Sequence, residues 1–220
     1  MISIGDEVRN VGYVHLSAYE PGKSTEEVLQ LIGMPLSLGT GSPVHQLTPK
    51  PKEGSTPNTY SGIFGYDQFP LHTDLAHWRS PPRFLVLRCI RGFSDVPTLL
   101  VDGARIISCS GGGVFSRTLV RPRRPVRSSL PLLRLYDRQR GERGLLRWDE
   151  VFIRAATEKS ELGVEKFREA LARTGPIKVS LVREGDMLVV DNWRMLHGRS
   201  VIRADSQGRM LERAYLEKLH

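Results

Sequence analysis

Cysteine is scarce in this chain: Cys89 and Cys109 are the only two among 220 residues. Two thiols cannot build a disulfide framework, and Cys89 sits in an apolar stretch. Both therefore read as reduced thiols, which points to a reducing, cytoplasmic setting. Long hydrophobic runs are also missing. No stretch approaches the ~18–20 apolar residues that a membrane-spanning helix needs. Residues 1–13 carry Asp6 and Glu7 and lack the basic-then-apolar pattern of a secretory leader. No internal repeat and no second domain is visible. The triple glycine at 111–113 lacks the Gly-Lys-Ser/Thr ending of a phosphate loop, so it reads as a hinge.

Acidic residues are scarce in one place. Ten arginines fall between Arg117 and Arg147, with only Asp137 and Glu142 against them, so this segment alone carries the chain's net charge of +8. The remainder is balanced. A general nucleic-acid surface spreads over a face and mixes lysine with arginine and aromatics. This segment is local and free of lysine, so nucleic acid is not the expected partner. Arginine forks suit carboxylates and phosphates. The segment reads either as a lid that brings positive charge to an anionic substrate or as a solvated loop.

A length of 220 residues fits one domain with a sizeable core. Ser24 followed by Glu26 and Glu27 predicts a capped helix over 24–34. Residues 35–58 are rich in Gly, Pro, Ser and Thr and read as loops around short strands. Strands are predicted at 59–64, 68–75, 83–90 and 97–101, with a short helix or turn over 103–108. After the arginine-rich segment, helices are predicted at 148–157 and 163–174. Strands return at 177–182, 187–191, 197–203 and 210–216. Strands, one long interruption and strands again suggest a mainly β fold with flanking helices: a double-stranded β-helix, or jelly roll, with a lid insertion at about 110–147.

The residues with most chemistry are His72-Thr73-Asp74 and the distant His197. Two residues apart on an extended strand, His72 and Asp74 point to one face and Thr73 to the other. A second imidazole from elsewhere would complete two histidines and a carboxylate on one side of a metal, the usual holder of non-haem Fe(II). Taken alone, a His-x-Asp triplet is weak evidence, expected by chance in about one such chain in four. A buried structural His72–Asp74 pair is the competing reading. Among the other histidines, His15, His45 and His220 have no partner pattern and read as surface residues.

The wider context is more specific. The runs "FPLHTD" and "DNWRMLHGR…RMLERAY" together resemble the taurine dioxygenase family of iron- and 2-oxoglutarate-dependent oxygenases, over about residues 36–216. The resemblance implies a jelly-roll fold with His72, Asp74 and His197 as Fe(II) ligands. It implies that Arg209 and Thr98 hold the distal carboxylate of 2-oxoglutarate and that Arg213 lies close to cosubstrate and substrate. Trp78 and Asn192 are further candidates for the substrate or cofactor pocket. Trp78 also reads as core, and Asp191 and Asn192 as turn residues before His197. Arg199 reads as a structural residue held by an acid or a carbonyl. On strand geometry, Arg209 and Arg213 share a face, with Met210 and Glu212 on the opposite one.

The implied activity is hydroxylation of a small anionic metabolite, consuming 2-oxoglutarate and O2 and releasing succinate and CO2. Related halogenases carry a small residue where this chain has Asp74, so hydroxylation, desaturation or ring closure is expected instead. Two other classes fit the same residues: a divalent-metal hydrolase and a non-catalytic jelly-roll binding protein.

Overall fold

The computed structural model describes residues 3–110, 113–126 and 128–220. It opens with helix α1 (Ile4–Val11), strand β1 (Tyr13–Leu16), helix α2 (Thr25–Ile32) and strands β2 (Gly33–Pro35) and β3 (His45–Leu47). A short helix α3 (Tyr60–Phe64) precedes β4 (Phe69–His72), β5 (Phe84–Arg91) and β6 (Thr98–Asp102). Helices α4 (Gly103–Cys109) and α5 (Gly113–Arg117) lead into β7 (Leu119–Pro122), β8 (Leu133–Arg134), β9 (Tyr136–Asp137), β10 (Leu145–Leu146) and β11 (Ile153–Ala155). The chain ends with α6 (Glu158–Ala172), β12 (Ile177–Val179), β13 (Met187–Asp191), β14 (Met195–Arg199) and β15 (Met210–Leu219).

Two antiparallel sheets form the body. The larger runs β1-β13-β5-β15-β2, with β3 also paired to β15; the smaller runs β12-β6-β14-β4. Strand alternation sorts the side chains into three apolar layers. Leu85, Leu87 and Cys89 of β5, with Leu188 and Val190 of β13, point into a core that includes Leu100 and Met195 of the smaller sheet. The alternate residues Phe84, Val86, Met187 and Val189 point outward under Val8 of α1 and Val28, Leu29 and Ile32 of α2. On the other flank, Val101 and Leu196 meet Ile106, Trp148 and Phe167 beneath α4 and α6. Burial of both faces explains the apolar run of β13 and the apolar Phe84–Leu87 run of β5; Arg88, which interrupts β5, is buried while donating to the Tyr19, Glu20 and Lys23 carbonyls. This is the expected jelly roll with flanking helices.

Helix α2 begins where its capping residues place it. Ser24 Oγ accepts the Glu27 amide, and Glu27 Oε2 accepts the Ser24 amide in return. Several local expectations need correction. Residues 60–64 are helical rather than the predicted strand, because Thr59 Oγ1 accepts the Gly62 amide and caps the turn. Strand β4 ends at His72 rather than at 75. The helix expected at 148–157 is absent: Asp149 Oδ1 accepts the amides of Val151 and Phe152 in a tight turn, and Ile153–Ala155 then pairs with β7. Helix α6 begins at Glu158, earlier than predicted, because Thr157 accepts the Ser160 amide and caps it. The second histidine's strand runs over 195–199 rather than 197–203. The expected glycine hinge falls mostly on Gly111 and Gly112, outside the described residues.

Candidate metal centre and its cavity

His72 ends β4 and pairs directly with His197 of the neighbouring β14, which brings the two rings to a centroid distance of 4.4 Å. Close approach of the strands depends on Gly198, where a Cβ would lie 2.7 Å from the Phe69 carbonyl oxygen. The chain then leaves the sheet. The Thr73 amide donates to the Trp148 carbonyl at 2.8 Å, and Thr73 Oγ1 accepts the Trp148 amide at 3.1 Å. Those bonds turn Thr73 away from the site and leave His72 and Asp74 on one side. Asp74 itself is braced by Asn192, fully buried, whose Oδ1 accepts the Asp74 amide while Nδ2 donates to the Asp74 and Pro82 carbonyls.

His72, Asp74 and His197 offer donor atoms that all lie within 4.8 Å of one another. His72 Nδ1 faces the Pro70 carbonyl at 2.8 Å, which fixes the proton there and leaves Nε2 free. That Nε2 lies 3.3 Å from Asp74 Oδ1, and His197 Nε2 lies 3.5 Å from the same oxygen. Asp74 Oδ2 has separate partners: the Tyr215 hydroxyl at 2.7 Å and the Arg213 guanidinium at 3.5 Å. Burial opposes ionisation of Asp74, but Arg213, His197 and His72 outweigh it and hold the carboxyl well below its usual range. Burial and the neighbouring His72 push His197 down. Burial opposes the charge on His72, but the Asp74 carboxylate outweighs it and raises its pKa, so a metal binding here would displace a proton from His72. Two imidazole nitrogens and one oxygen of an ionised carboxylate, gathered in a buried corner, fit a divalent transition metal.

This corner opens into a cavity of about 790 Å³, large enough for two small molecules side by side. Arg209, Leu211, Arg213 and Tyr215 line it with the alternation of one strand face, although the register shifts between Met210 and Leu211. Glu212 points the other way, to Thr25 of α2. Arg209 is only 6% exposed and, among the described residues, has no carboxylate partner. Its Nε is buried without a hydrogen bond, and burial lowers its pKa to about 10. Thr98, also buried, lines the same cavity.

Other candidates fall elsewhere. Trp78 is not among the lining residues; its neighbour His77 is, with the two rings edge to face. Asn192 lies behind Asp74 rather than in the cavity wall. Arg199 donates to the carbonyls of Gly65 and Asp67 and stacks over Phe69, consistent with the structural role expected of it, while also bordering the cavity. His15, His45 and His220 are exposed. The arginine-rich segment divides: residues 122–126 reach the cavity, whereas Arg134 and Arg147 are held by the Ser116 and Arg79 carbonyls.

Tyr60, Asp149, Phe152 and Tyr215 line the cavity without standing out in the sequence. Tyr215 was within reach, two residues past Arg213 on the same face. Tyr60, stacked 4.2 Å from the His72 ring, and Asp149 carry no local signal, because they arrive from distant turns.

Residues 104–215, just over half of the chain, match the family described as taurine catabolism dioxygenase TauD, TfdA family. The chain belongs to the TauD/TfdA family. The matched span contains His197, Arg209 and Arg213 but not His72, Asp74 or Thr98. Comparison with curated protein sequences returns no match. Similar solved structures include PvcB from Pseudomonas aeruginosa, described as an Fe, alpha-ketoglutarate dependent oxygenase (21% identity, TM-score 0.66, covering 95% of this chain and 77% of that one). The non-heme iron oxygenase OrfP, solved with Fe, succinate and (3S)-hydroxy-L-Arg, shows 21% identity and a TM-score of 0.65 over 96% of this chain and 78% of that one. An asparagine oxygenase solved with Fe(II), 3-hydroxyasparagine and succinate gives 21% and 0.62, over 84% of this chain. This chain spans 60% of the length of that asparagine oxygenase. At these identities the likeness establishes the fold.

Proposed function

We propose that this TauD/TfdA-family protein is an Fe(II)- and 2-oxoglutarate-dependent dioxygenase that hydroxylates a small molecule. One juxtaposition carries the reading: a buried cluster of two histidines and an aspartate opens into the same cavity as Arg209, a buried cation with no acid of its own. A buried unpaired guanidinium is costly to keep, and a dicarboxylate cosubstrate supplies the missing charge through a two-pronged bond. A divalent-metal hydrolase would use the same three ligands, but Arg209 would then have no role. A non-catalytic binding protein would not need a metal corner.

His72, Asp74 and His197 would hold the iron, which on binding supplies the site for O2 activation at the expense of 2-oxoglutarate. The chain's own residues do the placing. The Pro70 carbonyl fixes the His72 tautomer, and Tyr215 and Arg213 hold Asp74 Oδ2 so that Oδ1 faces the histidines. Arg209 and Thr98, both in the cavity lining, would anchor the distal carboxylate of the cosubstrate, and apolar walls such as Leu85, Leu87 and Leu211 exclude water. Arg213 borders both Asp74, which would be a ligand, and the cavity. Arg123 and Arg124, exposed yet lining the cavity, favour an anionic group on the substrate, with residues 122–126 acting as the lid. The free thiols Cys89 and Cys109 suit a reducing, cytoplasmic location. The test is O2 uptake and succinate release with Fe(II), 2-oxoglutarate and a panel of small metabolites. Succinate formation that vanishes in His72→Ala supports the reading; no turnover of 2-oxoglutarate under any condition refutes it.

A further inference from the structure

The wall formed by Asp149, Tyr60, His77 and Phe152 has the opposite character to the arginine-lined rim. Asp149 is 2% exposed. Its Oδ1 accepts the Val151 and Phe152 amides at 2.8 and 3.0 Å; the Tyr60 hydroxyl is the side-chain donor turned toward the carboxylate, and burial raises the Asp149 pKa, a cost that an incoming cation would offset. The Tyr60 hydroxyl faces this carboxylate but makes no hydrogen bond of normal geometry, and it too is buried. His77 Nδ1 is likewise buried without a partner. The Phe152 ring stands between the two, 5.6 Å from Tyr60 and 5.7 Å from His77 by centroid. The groups facing Asp149 from the packed elements are His72 of β4, Tyr60 of α3 and His77 of the following turn.

Each of the three polar groups can accept a hydrogen bond from a ligand: a carboxylate oxygen, a phenol oxygen and the unprotonated nitrogen of a neutral imidazole. Burial keeps His77 neutral by lowering its pKa. Aromatic faces around a carboxylate attract cations and repel anions. A carboxylate in so buried a wall is unfavourable unless a donor arrives to meet it.

We propose that Asp149, Tyr60 and His77 form a subsite for a cationic nitrogen, an ammonium or guanidinium group of the substrate. The proposal rests on the reading of this cavity as the substrate site and deepens it. With Arg123 and Arg124 at the rim, the substrate is then dipolar, its cationic end innermost and its anionic end outward, rather than simply anionic.

The test compares four probes of one skeleton, butylammonium, butylguanidinium, butanol and butyrate, by ligand-observed NMR on the purified full chain. It is run with and without anaerobic Fe(II) and 2-oxoglutarate. At least one cationic probe should bind ten times more tightly than butanol, and butyrate should gain nothing from this wall. Asp149→Asn is the decisive variant, because its amide oxygen can still accept the Val151 and Phe152 amides while the charge and the second oxygen are lost. It should abolish the preference for the cation and leave butanol unchanged. Should that variant melt early, Tyr60→Phe combined with His77→Leu should reduce cation binding at least threefold. Cations bound no better than butanol by the native chain, or a preference that survives these substitutions, would overturn the proposal. Cation selectivity that persists where Fe(II) and 2-oxoglutarate fail to bind would instead refute the dioxygenase reading and leave the subsite standing.

Discussion

Arg209→Met should make the chain more stable and useless at once. The guanidinium is buried, lacks an acidic partner, and has its pKa lowered to about 10 by desolvation. At roughly 1.4 kcal/mol per pKa unit, that depression corresponds to about 3 kcal/mol spent on keeping the cation in the folded chain. The sign is plain: a base with a depressed folded pKa is destabilising while charged, and at pH 7 Arg209 is charged. Methionine keeps most of the stem's packing and removes the charge, and relaxation with water entry reduces the gain, so about 1–2 kcal/mol remains. Urea denaturation of the metal-free chain should show a higher midpoint with an unchanged slope. In the native chain, 2-oxoglutarate at a hundred times its Kd should add about 2.7 kcal/mol, and the variant should lose that increment. A variant less stable than the native chain, or one still stabilised by 2-oxoglutarate, refutes the reasoning.

Further substitutions probe the support of the site. Asn192→Ala removes three bonds, two of them to the Asp74 backbone, in a fully buried position; it should cost about 2–4 kcal/mol by denaturant titration and weaken iron binding roughly tenfold by equilibrium dialysis. Gly198→Ala places a Cβ against the Phe69 carbonyl and should lower stability by about 1–3 kcal/mol, seen as a reduced melting temperature. Asp186 accepts amides from Ala18, Val182 and Arg183, and these bonds outweigh burial to hold its pKa below the ordinary 3.8. The stability it contributes is present above that ordinary value and lost as pH falls through the lower folded value. Asp186→Asn should therefore flatten the acid limb of a stability–pH curve below about pH 4 and leave the limb above pH 6 unchanged.

Much of the fold was legible where periodicity and burial agree. Residues 187–190 are apolar throughout because both faces of β13 are covered, and a buried strand is the outcome. The capping residues around Ser24 located α2 for the same local reason. Errors arose where one chemistry serves two structures. Asp149 after Trp148 reads as a helix start, but the carboxylate closes a turn; Thr59 reads as part of a β-prone run, but caps α3. In the site, His72, Asp74, Thr98, His197, Arg209 and Arg213 were each visible as residues, and the fold brings all six to one cavity. Asp149 and Tyr60 were invisible because nothing near them in sequence shows which cavity their turns will face. Asn192 was visible in part: it lies in the turn before β14 that its neighbours suggested, and its side chain braces Asp74 rather than lining the cavity. The arginine cluster serves more than one purpose: residues 122–126 line the cavity, whereas Arg134 and Arg147 are occupied with backbone carbonyls, and density of charge alone does not separate the two.

On the proposed reading, His72, Asp74 and His197 would hold iron beside a cosubstrate anchored by Arg209. Anaerobic titration of Fe(II) and then 2-oxoglutarate, followed by visible absorption, tests it most directly. A metal-to-ligand charge-transfer band should grow to a plateau at one iron and one 2-oxoglutarate per chain. It should be missing in Asp74→Ala and need far more 2-oxoglutarate in Arg209→Met. A native chain that stays colourless with both added would contradict the account.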